Sequence, residues 1–191
     1  MALNMESVMD LDPQVDQLIE CFNTLFLESL NTELVRGDGE PIYLPADATY
    51  PHHRIIFAHG FFSSALHEIA HWCVAGPKRR LLEDFGYWYK PDGRTEAEQS
   101  EFERVEVSPQ AYEWILTLSA GRKFHFSADN LSQGLGASDS FKQDVLQRVQ
   151  ETLVNGMNPR LLALSEALRG LYVVEPLTID QFKLESAKCV S

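Results

Sequence analysis

The five residues His67-Glu68-Ile69-Ala70-His71 constrain this chain more tightly than any other segment. On an α-helix, positions i and i+4 stand one above the other, so both imidazoles can reach a single ion. Glu68 is rotated about 100° from His67, where it would touch a water on that ion rather than the ion itself. Leu66, Ile69, Ala70 and Cys73 give the same helix an apolar stripe that would fix it against a core. Ser63 or Ser64 is placed to cap its start, and Gly76-Pro77 stops it. His67 and His71 are therefore expected to be two ligands of one metal ion, with Glu68 as the catalytic candidate beside them.

Two histidines do not make a stable site, so a third ligand is required. Downstream the chain offers Glu83, Asp84, Glu96, Glu98, Glu101, Glu103 and Glu106. Glu106 lies between Val105 and Val107, in the least charged part of this acidic run, and is the one expected to face inward. Glu98, Glu101 and Glu103 read as a solvated helix face. His125 is a competing nitrogen donor, although a histidine between two phenylalanines is more often a core or edge residue. Two histidines and a carboxylate leave two chemistries open. With zinc, a bound water and Glu68 as base make a metallopeptidase. With Fe(II), the same three side chains form a facial triad. Spacing alone does not choose between them, and a metal-stabilised interaction domain without catalysis is a third reading.

A hydrophobic content of 45% is ample for a core, and 191 residues fit one domain. The expected fold is α+β: a mainly helical single domain, residues 1–191, with a small sheet and a zincin-like HExxH helix. Residues 1–11 and 178–191 are expected to be loosely ordered. A formal charge of −12 argues against direct nucleic-acid binding, because phosphate neutralisation needs clustered Lys and Arg. Apolar runs such as Leu161 to Leu164 are far short of the roughly 20 residues of a membrane helix. No basic, apolar leader opens the chain, and Cys21, Cys73 and Cys189 are too widely spaced to suggest a disulfide or zinc framework. A cytoplasmic monomer is expected.

Helical spacing runs from Asp12 to about Leu30, after which Gly37-Asp38-Gly39 breaks the pattern. Ile42 to Leu44 and Arg54 to His59 read as short strands, and Phe85 to Tyr89 as a further one before a Lys90-Pro91-Asp92-Gly93 turn. Thr95 to Glu106 predicts an acidic helix, with Pro109 to Ala120 a second helix or a kinked continuation. Phe124 to Phe126 predicts a short strand. Two helices follow, one carrying Phe141, Val145, Leu146, Val149 and Leu153, the other running from Asn158-Pro159 to about Gly170.

Three longer stretches are more specific than the metal motif: Phe57 to Gly76 (FAHGFFSSALHEIAHWCVAG), Asp84 to Arg94 (DFGYWYKPDGR) and Glu98 to Trp114 (EQSEFERVEVSPQAYEW). They closely resemble the bacterial elongation factor P hydroxylase family, most strongly from Ile42 to about Trp114. The resemblance implies hydroxylation of the elongation factor P lysine that already carries a β-lysyl group. It implies a non-haem Fe(II) site of two histidines and one carboxylate, onto which His67, His71 and Glu106 map, although zinc or another divalent ion can fill such a site in purified protein. Inserting oxygen into a C–H bond needs a redox-active metal, which zinc is not. In this reading Glu68 orients water or the substrate amine. Glu101 and Glu103 are candidate contacts for the ammonium groups. Tyr87, Trp88 and Tyr89 are candidates to line a groove for the aliphatic stem, an aromatic core strand being the plainer account of them.

Overall fold

The computed structural model describes Asp12, residues 14–86, 93–127 and 136–185, and the backbone of 188–189. Helix α1 (Gln14–Leu30) buries Val15, Leu18, Phe22 and Phe26, a three- and four-residue spacing that makes one apolar stripe. Asp12 opens it, its carboxylate accepting from the Gln14 amide at 3.0 Å. The helix stops at Asn31, which takes a left-handed φ of 50°, and the chain turns at once into β1 (Thr32–Arg36). This strand was not expected from the sequence. Its signal is the alternation that buries Thr32 and Leu34.

β2 (Ile42–Leu44) and β3 (His53–Phe57) complete a three-stranded sheet of order β1-β3-β2. β1 runs parallel to β3, with Leu34 opposite Ile55; β2 is antiparallel, with Tyr43 opposite Ile55. Leu34, Tyr43 and Ile55 are all buried and weld the sheet to the helices. The second predicted strand ends at Phe57, because Ala58–Gly60 forms a 3₁₀ turn in which His59 has a φ of 51°.

Helix α2 (Phe62–Val74) carries the HEIAH segment. It starts at Phe62, not at a serine-capped Ser63 or Ser64; Ser64 instead accepts the Ala58 amide at 3.0 Å and ties down the preceding turn. Its far end stops before Gly76-Pro77 as expected, and its last carbonyls are capped from elsewhere in the chain. Asn158 and Arg160 donate to the Cys73 carbonyl at 3.0 and 2.9 Å, while Arg160 and Arg80 donate to that of Ala75 at 2.8 and 2.9 Å. Trp72, wholly buried, packs on Phe22 and Phe26 of α1 with ring centroids 5.3 and 5.0 Å apart.

Beyond α2, the predicted strand at Phe85 is a correction. Glu83–Gly86 is a 3₁₀ turn in which Asp84 and Phe85 both have positive φ, 45° and 59°. Such strain persists only where neighbours over-determine it. Here the Tyr43 amide donates to Asp84 at 2.8 Å, Phe85 stacks on the Tyr43 ring at 4.2 Å, and Arg79 donates to the Phe85 carbonyl. Tyr87, Trp88 and Tyr89 lie outside the described residues.

The acidic stretch and the segment after Pro109 form one helix, α3 (Glu96–Ser119), opened by a capping box between Thr95 and Glu98. α4 (Asp139–Asn155) and α5 (Pro159–Tyr172) pack on it through Phe141, Val145, Val149, Leu161, Leu164 and Leu168. β4 (His125–Phe126) pairs in parallel with β5 (Lys188–Cys189). Part of the tail expected to be loose is anchored: Phe182 is buried, its ring edge-on to Trp114 at 5.5 Å. The result is mainly helical with a small sheet, as the sequence leads one to expect. Among the described residues no helix is long and apolar enough to cross a membrane.

Candidate metal centre

α2 presents His67 and His71 on one face, and α3 lies across that face. The two Nε2 atoms stand 3.1 Å apart. The Glu106 carboxylate reaches His71 Nε2 at 3.4 Å through one oxygen and His67 Nε2 at 3.8 Å through the other. Donor atoms of all three residues lie within 4.8 Å of one another. Donors about 2.1 Å from a shared ion and at right angles to each other are about 3 Å apart, so two imidazole nitrogens and one carboxylate fit a divalent ion here. Glu106 is 1% exposed, and a carboxylate is rarely taken so far from water without a charge partner.

His67 has a second acidic neighbour. Its Nδ1 lies 2.8 Å from Glu113, two turns beyond Glu106 on α3. Moving from His67 to His71 along α2 means moving from Glu113 back to Glu106 along α3, so the helices run in opposite directions where they meet. Burial opposes charge on the His67 ring, yet the charge and hydrogen bond of Glu113, reinforced by Glu106 and Glu68, lift its pKa to about 10. Burial raises the Glu68 carboxyl above the ordinary carboxylate range, opposed by His67 and His71 and assisted by Glu106 and Asp84. Glu68 therefore holds a proton more readily than a surface glutamate does.

A cleft of about 960 Å³ opens beside His67, with Glu68 and Glu113 also in its lining. Leu66, Phe124 and Phe126 supply apolar wall, and exposed Phe61, His59, Lys123 and His125 stand around it. His125 is outside the cluster of metal-ligating groups and its side chain is exposed, which removes it as the nitrogen donor that competes with Glu106.

Two of the acids expected to meet the substrate sit elsewhere. Glu101, five residues before Glu106, is turned about 140° around the α3 axis and forms an exposed ion pair with Arg104. Glu103 accepts the Ser138 amide at 3.0 Å and its hydroxyl at 2.6 Å, binding the start of α4 to α3. Neither lines the cleft. Glu113, which does, escaped the sequence reading. Its signal was available, since seven residues after Glu106 is nearly the same helix face.

The family described as Elongation factor P hydroxylase matches residues 21–182, a span that holds His67, Glu68, His71, Glu106 and Glu113. The Elongation factor P lysine hydroxylase of Haemophilus influenzae is 51% identical over 165 residues, covering 86% of this chain and 93% of that protein. The match runs through the sheet, the α2–α3 pair and the helices behind them, and on that evidence the chain belongs to the elongation factor P hydroxylase family.

Proposed function

We propose that this protein hydroxylates a lysine side chain of elongation factor P, in the form that already carries a β-lysyl group, using a non-haem Fe(II) held by His67, His71 and Glu106. The observation that carries the proposal is the convergence of those three side chains in a family named for this reaction. Iron bound there would supply the activation of dioxygen that insertion into a C–H bond requires. The same convergence would suit zinc, but nothing in the relatives' names points to peptide cleavage.

The chain's own residues then have separable tasks. His67, His71 and Glu106 hold the ion and, being three, leave positions beside it open. The apolar lining of the cleft, in which Phe61 is the exposed aromatic, receives the methylene stem of the lysine. Glu68 lines the same cleft beside His67, where it can hold an ordered water or the substrate amine by hydrogen bonding. No role in the cleft falls to Glu101 or Glu103.

The test is mass spectrometry of β-lysylated elongation factor P after incubation with this protein, Fe(II), isotopically labelled dioxygen and a reductant that supplies the two electrons by which the second oxygen atom leaves as water. Gain of one labelled oxygen atom is expected, and its disappearance in His67→Ala. No gain with any reductant overturns the reading. A Glu68→Gln protein with normal iron content and undiminished hydroxylation would withdraw the task given to Glu68 while leaving the rest.

A further inference from the structure

The hydrogen bond from His67 to Glu113 reaches the side of the ring that faces away from the ion. Glu113 accepts at Nδ1, whereas the nitrogen that meets His71 and Glu106 is Nε2. A carboxylate can only accept, so Nδ1 must carry a proton whenever this bond is made. A neutral imidazole with its proton on Nδ1 has its one lone pair on Nε2, aimed at the space between His71 and Glu106. We infer that Glu113 is a positioning residue of the metal centre: it selects this tautomer of His67, locks the ring's rotation and strengthens Nε2 as a donor, without touching the ion. The inference rests on the three-ligand reading of the site above.

Three features distinguish this contact from an incidental ion pair. Glu113 is 5% exposed, so its carboxylate is largely cut off from water and held to one partner geometry. It is on the same rigid helix as Glu106, two turns apart, so the spacing between the ion's carboxylate and the carboxylate behind the histidine is built into α3. Finally, the charges balance. A divalent ion brings two positive charges, Glu106 offers one negative charge directly, and Glu113 offers the other through the ring. His71 shows no equivalent: among the described residues its bond is to His67 and its ion pair to Glu106. Among the described residues, then, the anchoring carboxylate behind the ring belongs to His67.

Outer partners of this kind typically govern metal affinity by 10- to 100-fold. The experiment titrates Co(II), and Fe(II) under anaerobic conditions, into the metal-free wild type, Glu113→Gln, Glu113→Ala and His67→Ala proteins. In parallel, nitrogen-resolved NMR of the zinc-loaded protein reports how well the Nδ1–H of His67 is protected from exchange. Glutamine keeps an acceptor but loses the charge, so the intrinsic affinity, corrected for the proton that the metal displaces from His67, should fall in the order wild type, Glu113→Gln, Glu113→Ala. The last should be about 10- to 100-fold weaker than wild type, and its Nδ1–H, without an acceptor, should exchange with water faster than in the wild type. If Glu113→Ala does not fold, the glutamine protein alone decides, through a several-fold loss of affinity with the Nδ1–H still protected from exchange. Equal affinities in wild type and both Glu113 proteins, with binding lost in His67→Ala, overturn the positioning role and leave the centre standing. No binding by the wild type removes both.

Discussion

His67 is where opposing electrostatic influences meet, and their balance sets how the site takes up metal. In the metal-free protein burial works against its charge, while Glu113, Glu106 and Glu68 raise its pKa to about 10. With Nδ1 committed to Glu113, the extra proton resides on Nε2, between His67 and His71. A divalent ion has to displace it. Binding near pH 7 should therefore release about one proton, and affinity should climb as pH rises toward 10. Calorimetry in buffers of different ionisation enthalpy counts the proton, and binding without release near neutral pH would contradict this account. Stability of the metal-free fold runs the other way. The folded value lies above the unfolded value near 6.5, so His67 contributes fully below about pH 6.5 and its contribution disappears as pH rises through about 10.

Helix α2 is an unusually constrained element for its thirteen residues. Trp72 pins one side of it to α1, the two histidines face α3, and its final carbonyls are held by side chains from beyond α4. Arg160 does most at that end, donating to two carbonyls and lying over the Trp72 ring at 4.8 Å. Asn158 and Arg80 still serve the same two acceptors when Arg160 is truncated. Arg160→Ala should consequently cost about 1–2 kcal/mol rather than the full value of two charged hydrogen bonds. It should also weaken metal binding, because the helix that spaces the histidines is loosened. Chemical denaturation measures the first effect, and an unchanged midpoint would show that the cap is redundant.

For the molecule as a whole, the candidate centre joins two halves of the core. The sheet and α1 brace α2 from one side, while α3, backed by α4 and α5, brings the carboxylates from the other. A ligand that bridges both halves binds the folded chain in preference to the unfolded one. At a free metal concentration 100 times the dissociation constant, the stabilisation is about 2.7 kcal/mol, or a melting temperature about 5–10 °C higher for a chain of this size. Thermal unfolding with and without metal should show that rise in the wild type and none in His71→Ala. A rise of equal size in both would place the ion elsewhere.

Much of the site was legible one element at a time. The pairing of His67 with His71 is a property of a single helical turn, and an apolar stripe beside it is enough to say that the turn faces a partner. Glu106 is separable from its acidic neighbours because valines flank it, whereas Glu101 and Glu103 read both as a solvated helix face and as candidate substrate contacts; Glu101 lies on that exposed face with Arg104, and Glu103 holds Ser138. The residues that escaped, Glu113 and the strand β1, depend on what approaches them from far along the chain. β1 exists because β3 pairs with it in parallel, and Glu113 meets His67 only because α3 crosses α2 in the opposite direction. Local spacing determines which atoms can share a face; packing between distant segments determines which atoms that face meets, because the free energy of burial depends on the whole core rather than on any one stretch.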